Sequence, residues 1–292
     1  MREPGHYYTA YFVSLAVGFD PRIALRNAVF AQMPDEVNAL DAAYQEESRL
    51  TAPGGMVTWT KYERDLIQRG LHALTGGLSK PERDTTTGAL HQMKPGSMEF
   101  GFLLHRFGDT YAHSKMGNET VLYDTGMGHA LDLNNPDLIH VRRDLYEKFV
   151  AALYETLLPL ARAAGGAPRM SAEQIRPLAK EIASVTVILR RPTPGAPYAY
   201  DEVVLNDPSE KAQVRRMRDL CQQKMNIQMD PYAPETEDCR SWMRFKKGNS
   251  QFMRQLDGAE ISWPDVVAAV HTVARLVGQE PKRDLNYPLR PQ

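Results

Sequence analysis

Histidine and aspartate recur at four-residue spacing in His105-Arg106-Phe107-Gly108-Asp109-Thr110-Tyr111-Ala112-His113. On an α-helix, at about 100° per residue, each four-residue step drifts only about 40°, so the three side chains share one stripe. They also climb it, with about 6 Å between neighbours and about 12 Å from end to end. Helical side chains lean in one direction, so two imidazoles that far apart do not converge on a single ion held at about 2 Å. The spacing therefore predicts two metal ions, His105 on one, His113 on the other and Asp109 between them with two oxygens to offer. The competing reading is a polar helix face laced with salt bridges. Leu103, Leu104, Phe107 and Tyr111 make the surroundings too apolar for a fully solvated stripe.

The rest of the histidine distribution points the same way. Seven of the eight, His6, His72, His91, His105, His113, His129 and His140, lie in the first half of the chain, and only His271 lies beyond it. Two cysteines, Cys221 and Cys239, cannot build a cysteine-rich zinc site or a disulfide scaffold, so any metal is held by histidines and carboxylates. Most other polar residues have structural readings. His91 falls in a loop, His140 faces away from an apolar stripe, and His271 sits on a terminal helix. Tyr7, Tyr8 and Tyr11 read as packing, and Arg215, Arg216 and Arg218 as a solvated helix face.

The elements that must position these groups are mainly helical. Asp20-Pro21 is an N-cap followed by proline at the first helical position. Trp59 to Leu74 repeats apolar residues at helical spacing and stops at Gly76-Gly77. Ser79 to Pro95, rich in Thr, Gly, Pro and charge, reads as a long surface loop, and Met98 to His113 as a helix. Asn135-Pro136 opens another helix, with Leu138, Val141, Leu145, Phe149, Leu153 and Leu157 along one side, ending near Gly165-Gly166. Ser171 with Gln174 forms a capping box. Arg190 to Tyr200 reads as a loop or boundary, and Tyr200 to Leu205 as a short strand. Helices from Ser209 to about Gln228 and from Trp263 to Val277 follow. The predicted class is all-α: a helical metal-site core over 1–165 and a helical extension over 166–292 packed on it, or one continuous domain.

Composition sets outer limits. The chain has 292 residues, 42% hydrophobic and 24% charged, which suits a soluble globular protein. Lys plus Arg is 35 against 36 for Asp plus Glu, so duplex nucleic acid gripped through its phosphates is excluded as a main partner. Tyr11 to Phe19 is too short for a membrane span and lacks the flanks of a signal peptide. The expected location is cytoplasmic, although signal-independent export fits the same sequence.

Several segments together resemble a known superfamily. Leu104-His105-Arg106-Phe107-Gly108-Asp109-Thr110-Tyr111-Ala112-His113-Ser114 is similar to the His-x3-Asp helix of the zinc-dependent phospholipases C and single-strand nucleases. Gly5-His6-Tyr7-Tyr8, Ala31-Gln32-Met33-Pro34-Asp35, Gly128-His129-Ala130 and Pro136-Asp137 resemble a bacterial branch that begins His-Tyr-Tyr. The likeness covers roughly residues 5–150. It implies an all-helical phospholipase C/nuclease-like fold in which zinc ions in a cleft hydrolyse phosphate esters. Carried over by residue, His105 and Asp109 are the paired helical ligands, with Asp109 bridging. His113 and His129 hold another ion with Asp137 or Asp132, and His6 is the early histidine. Asp35 ligates zinc or orients the attacking water, and His72 is the remaining histidine ligand. Secreted members also use the amino group of an N-terminal tryptophan. This chain begins Met1-Arg2-Glu3-Pro4, so that ligand is not expected here. Leu133, four residues after His129, breaks the usual last pair. Two or three zinc ions, or other divalent metals, are the expectation.

The function this implies is metal-dependent hydrolysis of a small phosphate ester, a lipid headgroup included. The alternative is a metal-stabilised helical module that binds a partner protein without catalysis; an amidase on the same ligands is a third reading. An enzyme needs an open coordination position, whereas a structural site closes its shell with protein ligands.

Overall fold

The computed structural model describes residues 1–37, 40, 64–125, 132, 135–186, 208–232 and 261–280. A π-helical turn, π1 (Pro4–Tyr8), runs into α1 (Thr9–Val17), which is buried along its whole length. Helix α2 (Pro21–Glu36) starts where expected, with the Asp20 carboxylate accepting from the Arg22 amide at 2.9 Å. A second π-helical segment, π2 (Arg64–Leu71), is followed by α3 (Ser79–Leu90) and α4 (Met98–Ala112). The short antiparallel strands β1 (Ser114–Lys115) and β2 (Asn118–Leu122) come next, then a 3-10 turn (Asn135–Asp137). The chain continues through α5 (Arg143–Ala163), α6 (Ala172–Ser184), α7 (Pro208–Met225) and α8 (Trp263–Leu276). The described residues are thus mainly helical, and the protein belongs to the all-α class.

Helix α4 lies at the centre. It packs on α2, α3, α5, α8 and both π-helical segments. The closest approach is at Gly101, where an added Cβ would stand 2.1 Å from the Cβ of Phe30 on α2. Helix α1 packs between α2 and α5, and its C-terminus is closed from afar: Arg169 donates to the carbonyls of Leu15 at 2.6 Å and Phe19 at 2.9 Å. Helix α6 lies along α5; α7 packs on π1, α1 and α6; and α8 packs on π2, α3 and α4. Helices α7 and α8 therefore rest directly on elements that carry or lead to His6, His72 and His105. No described helix is long and apolar enough to cross a membrane.

Three sequence expectations are corrected. Ser79 to Leu90 is the helix α3 and not a surface loop. Pro81 lies in its first turn, where no intrahelical N–H is needed, and Thr86, Ala89 and Leu90 are buried. Tertiary contacts here override the poor helix propensity of the threonine run. The helix expected from Asn135 begins only at Arg143. Residues 135–137 form a 3-10 turn, and the Arg142 guanidinium is drawn back to the carbonyls of Ala112, at 3.0 Å, and Ser114. The segment expected to be helical up to Gly76-Gly77 leaves its helix at Leu71; its first residues, 59–63, lie outside the described residues. After it, Thr75 and Leu78 bridge to Asp124 and Val121, with Gly76 at φ 68° in the turn. The predicted strand over 200–205 also lies outside the described residues.

Candidate metal centre

Five separate stretches deliver the site. Helix α4 carries His105 and Asp109 four residues apart, both fully buried. The end of α4 supplies His113 from its C-cap, where φ −81° and ψ 15° have left the helical register. That end is closed by two guanidinium groups, Arg83 on the Thr110 carbonyl at 2.9 Å and Arg142 on that of Ala112, a favourable sign of charge for a helix C-terminus. His6 comes from π1 and stacks on the His105 ring, with centroids 3.9 Å apart and 23° between planes. Gly108 makes room for it: an added Cβ would lie 3.3 Å from the His6 ring. His72 follows π2, and Ala73 after it is held at φ 53°, a costly conformation for alanine that turns the chain away. Asp35 lies in the last turn of α2 and Asp137 closes the 3-10 turn.

In His72, His105 and His113 one ring nitrogen is tied to a backbone carbonyl. His72 Nε2–H donates to Leu40 at 2.7 Å, His105 Nδ1–H to Ala31 at 2.8 Å, and His113 Nδ1–H to His72 at 2.6 Å. Such bonds select the tautomer and aim the other nitrogen. In the neutral rings, His72 Nδ1 and His105 Nε2 then turn lone pairs toward each other at 3.0 Å. Asp109 Oδ2 lies 3.2 Å from the first and 3.1 Å from the second, so three electron pairs converge with no proton of their own to set between them. Asp35 Oδ1 stands 3.9 and 3.7 Å from the same two nitrogens. Four ligand atoms around a tetrahedral ion at about 2 Å would be about 3.3 Å apart. These separations fit that polyhedron.

A second pocket shares both carboxylates. Asp109 Oδ1 lies 3.1 Å from His6 Nε2, and Asp35 Oδ2 lies 3.7 Å from the same nitrogen. The α-amino group of Met1 donates to Asp109 Oδ1 at 2.7 Å and to His6 Nε2 at 2.6 Å. It is also 3.5 Å from Asp137 Oδ1, which in turn is 3.7 Å from His113 Nε2. His6, His105 and Asp109 bring ligand atoms within 4.8 Å of one another, as do Asp35, His72 and His105.

The electrostatics suit cation binding. Burial pushes His105 down to about 4; burial, His105 and the Met1 ammonium push His6 well below the imidazole range. Both rings are therefore neutral at pH 7, the state a metal requires. Burial opposes the charge of Asp109, yet His113, the Met1 ammonium, His105 and His6 hold its carboxyl well below the carboxylate range. Burial likewise opposes protonation of His72, but the hydrogen bond and charge of Asp109, with Asp35 behind them, raise its pKa: a proton there relieves the crowded lone pairs. The Met1 amine is raised to about 10, Asp109, Asp137 and Asp35 outweighing its burial.

Of the residues predicted from sequence, the structure brings together His6, Asp35, His72, His105, Asp109, His113 and Asp137. His129 lies outside the described residues. Asp132 accepts from the Tyr123 hydroxyl, whereas Asp137 faces His113. Two details change. Asp109 does bring two oxygens, but Oδ1 faces His6 and the Met1 amine, while the nearest approach of His113 is Nδ1 to Oδ2 at 3.7 Å. His113 belongs instead with Asp137. The Met1 amino group lies at the junction of the two pockets, against His6 Nε2 and Asp109 Oδ1. Of the histidines set aside, His91 is exposed, and His140 and His271 are half-buried, His271 lying 4.0 Å from Glu280. Tyr7, Tyr8 and Tyr11 do more than pack: Tyr11 donates to the Asp230 carboxylate at 3.0 Å and Tyr8 accepts from the Tyr232 amide at 2.8 Å.

Family models, curated proteins and solved structures contain no match to this chain. The chemistry of the cluster is read from its own atoms.

Proposed function

We propose that the protein is a metal-dependent hydrolase that holds two or three zinc ions and cleaves a phosphate ester, on a fold of the phospholipase C/nuclease kind. The single observation that carries this reading is the convergence of His72 Nδ1, His105 Nε2 and Asp109 Oδ2 at 3.0 to 3.2 Å, each histidine locked in the ligating tautomer by a carbonyl. Asp109 and Asp35 turn one oxygen each to this pocket and one to the pocket of His6, so both are suited to bridge. His113 and Asp137 form the third position, which the resemblance completes with His129.

Zinc would supply Lewis acidity, which makes water nucleophilic near neutral pH and offsets charge on a phosphoryl group. The chain's own contribution is orientation and access. His105 and Asp109 are sealed at 0% and 1% side-chain exposure, whereas Asp35 is 28% and Asp137 14% exposed. Substrate would therefore approach from the Asp35 side, and Asp35, if it held one ion through a single oxygen, would keep the other to orient an attacking water. An edge reachable by solvent favours catalysis over a closed structural site.

Protein purified without a metal-affinity column is expected to carry about two or three zinc ions per chain and to hydrolyse a chromogenic phosphodiester. Chelation should abolish turnover and added zinc restore it. Less than about half an equivalent of any transition metal would overturn the metal centre. Full metal loading without hydrolysis of phosphodiester, phosphomonoester or amide would favour the non-catalytic module instead.

A further inference from the structure

Arg106 follows His105 on α4, is fully buried, and makes no contact with the metal cluster among its hydrogen bonds. Its guanidinium is divided between two other elements. On α3, Nη2 pairs with Glu82 and Nε donates to the Thr86 hydroxyl at 3.2 Å. On π2, Nη1 donates to the carbonyls of Arg69 and of Gly70, the latter at 3.1 Å. These carbonyls belong to the last turn of a helical segment, where intrahelical donors run out, and a cation there has the favourable sign. Only Leu71 separates them from His72.

We infer that the Arg106–Glu82 pair, with its guanidinium fully buried, is a positioning device that sets the metal affinity of the His72–His105 pocket. Helix α4 carries both Arg106 and the ligands His105 and Asp109, while π2 leads into His72. Tying the carbonyls of residues 69 and 70 to α4 fixes the backbone from which His72 projects, and so fixes the 3.0 Å approach of the two imidazoles. The Leu40 carbonyl aims the ring but does not join π2 to α4. Glu82 holds the guanidinium in place and neutralises it, without which a buried cation would not be tolerated. The planar fork is needed because two carbonyls, a hydroxyl and a carboxylate are served at once; an ammonium has three donors and no fixed plane.

This inference rests on the reading of the cluster as a metal centre, and the test separates the two. Full-length wild type, Glu82→Gln, Arg106→Lys and Arg106→Met are loaded with cobalt(II), and the visible spectrum is recorded. Zinc affinity is then measured against a chromogenic chelator. Arg106→Met is expected to bind one equivalent about tenfold or more weakly, as loss of a group supporting a ligand does, with an altered cobalt spectrum and the remaining equivalents unchanged. Glu82→Gln should show the same change in smaller measure, and Arg106→Lys should recover part of it. Folded variants with lower melting temperatures but wild-type affinities and spectra would overturn the positioning role. Should Arg106→Met not fold, Glu82→Gln and Arg106→Lys decide alone by the same criteria. Wild type that binds neither cobalt nor zinc would overturn the metal centre, and with it this inference.

Discussion

Asp109→Asn is expected to cost the protein at least one metal ion, more than any single histidine substitution would. The carboxylate turns Oδ2 to His72 and His105 and Oδ1 to His6 and the Met1 amine, so it serves two pockets at once. Asparagine keeps the shape but presents a neutral oxygen to one side and an NH2 donor to the other. Two neighbouring dications would then face each other with one negative charge fewer between them, in a site sealed from solvent, where Coulomb repulsion is weakly screened. Asp109→Ala should do the same and leave a void as well. On the proposed reading His113→Ala would remove a ligand only from the position beside Asp137, and should empty mainly that one. Metal content of the three variants, each confirmed to be folded, decides the point. Wild-type stoichiometry in Asp109→Asn together with loss in His113→Ala would show that Asp109 bridges nothing.

Gly101→Ala is expected to be among the most damaging single-methyl additions. Its Cβ would stand 2.1 Å from Phe30 Cβ and 2.9 Å from the Phe30 carbonyl carbon, so backbone must move and a rotamer change cannot relieve the clash. Overpacking of this kind costs roughly 1–3 kcal/mol, or about 2–5 °C in melting temperature for a chain of this size. The damage should reach the site, because α2 carries Asp35 five residues beyond Phe30 and α4 carries Asp109. Displacing one helix from the other opens the gap that the two carboxylates must span. Gly88→Ala on α3 is the control: nothing lies within 4 Å of its Cβ, and removing a helical glycine should stabilise by about 0.4–1 kcal/mol. A Gly101→Ala protein that melts with the wild type and retains its metal would contradict the close crossing of α2 and α4.

Part of the site was legible because it is local. The His105–Asp109 pair depends only on the 3.6-residue repeat of one helix, and the caps at Asp20 and Ser171 depend on neighbours two or three residues away. Such signals are complete within a short window, so the all-α class and the richest ligand helix could be read directly. The stripe logic failed at its last member for the same reason. It assumes continued helical geometry, and His113 has already left it.

What tertiary structure alone decided is the pairing of ligand atoms. Asp109 Oδ1 meets His6 across more than a hundred residues, and a group at that separation is placed by packing and not by periodicity. No spacing marked the π turn that presents His6, and the helical spacing over Trp59 to Leu74 marked an element there without showing where His72 would point. The carbonyls of Leu40, Ala31 and His72, which fix the ring tautomers, carry no residue identity to read. Helix α3 looked like a loop because its propensities are poor, and its stability resides in the buried faces of Thr86, Ala89 and Leu90 and in Glu82 paired with Arg106. The sequence by itself determined which residue types could bind a metal and which helix would hold them. Their convergence from α2, α4, π1 and π2 required the packed core, because distance in space is set by side-chain volumes at crossings such as Gly101–Phe30, and not by distance along the chain.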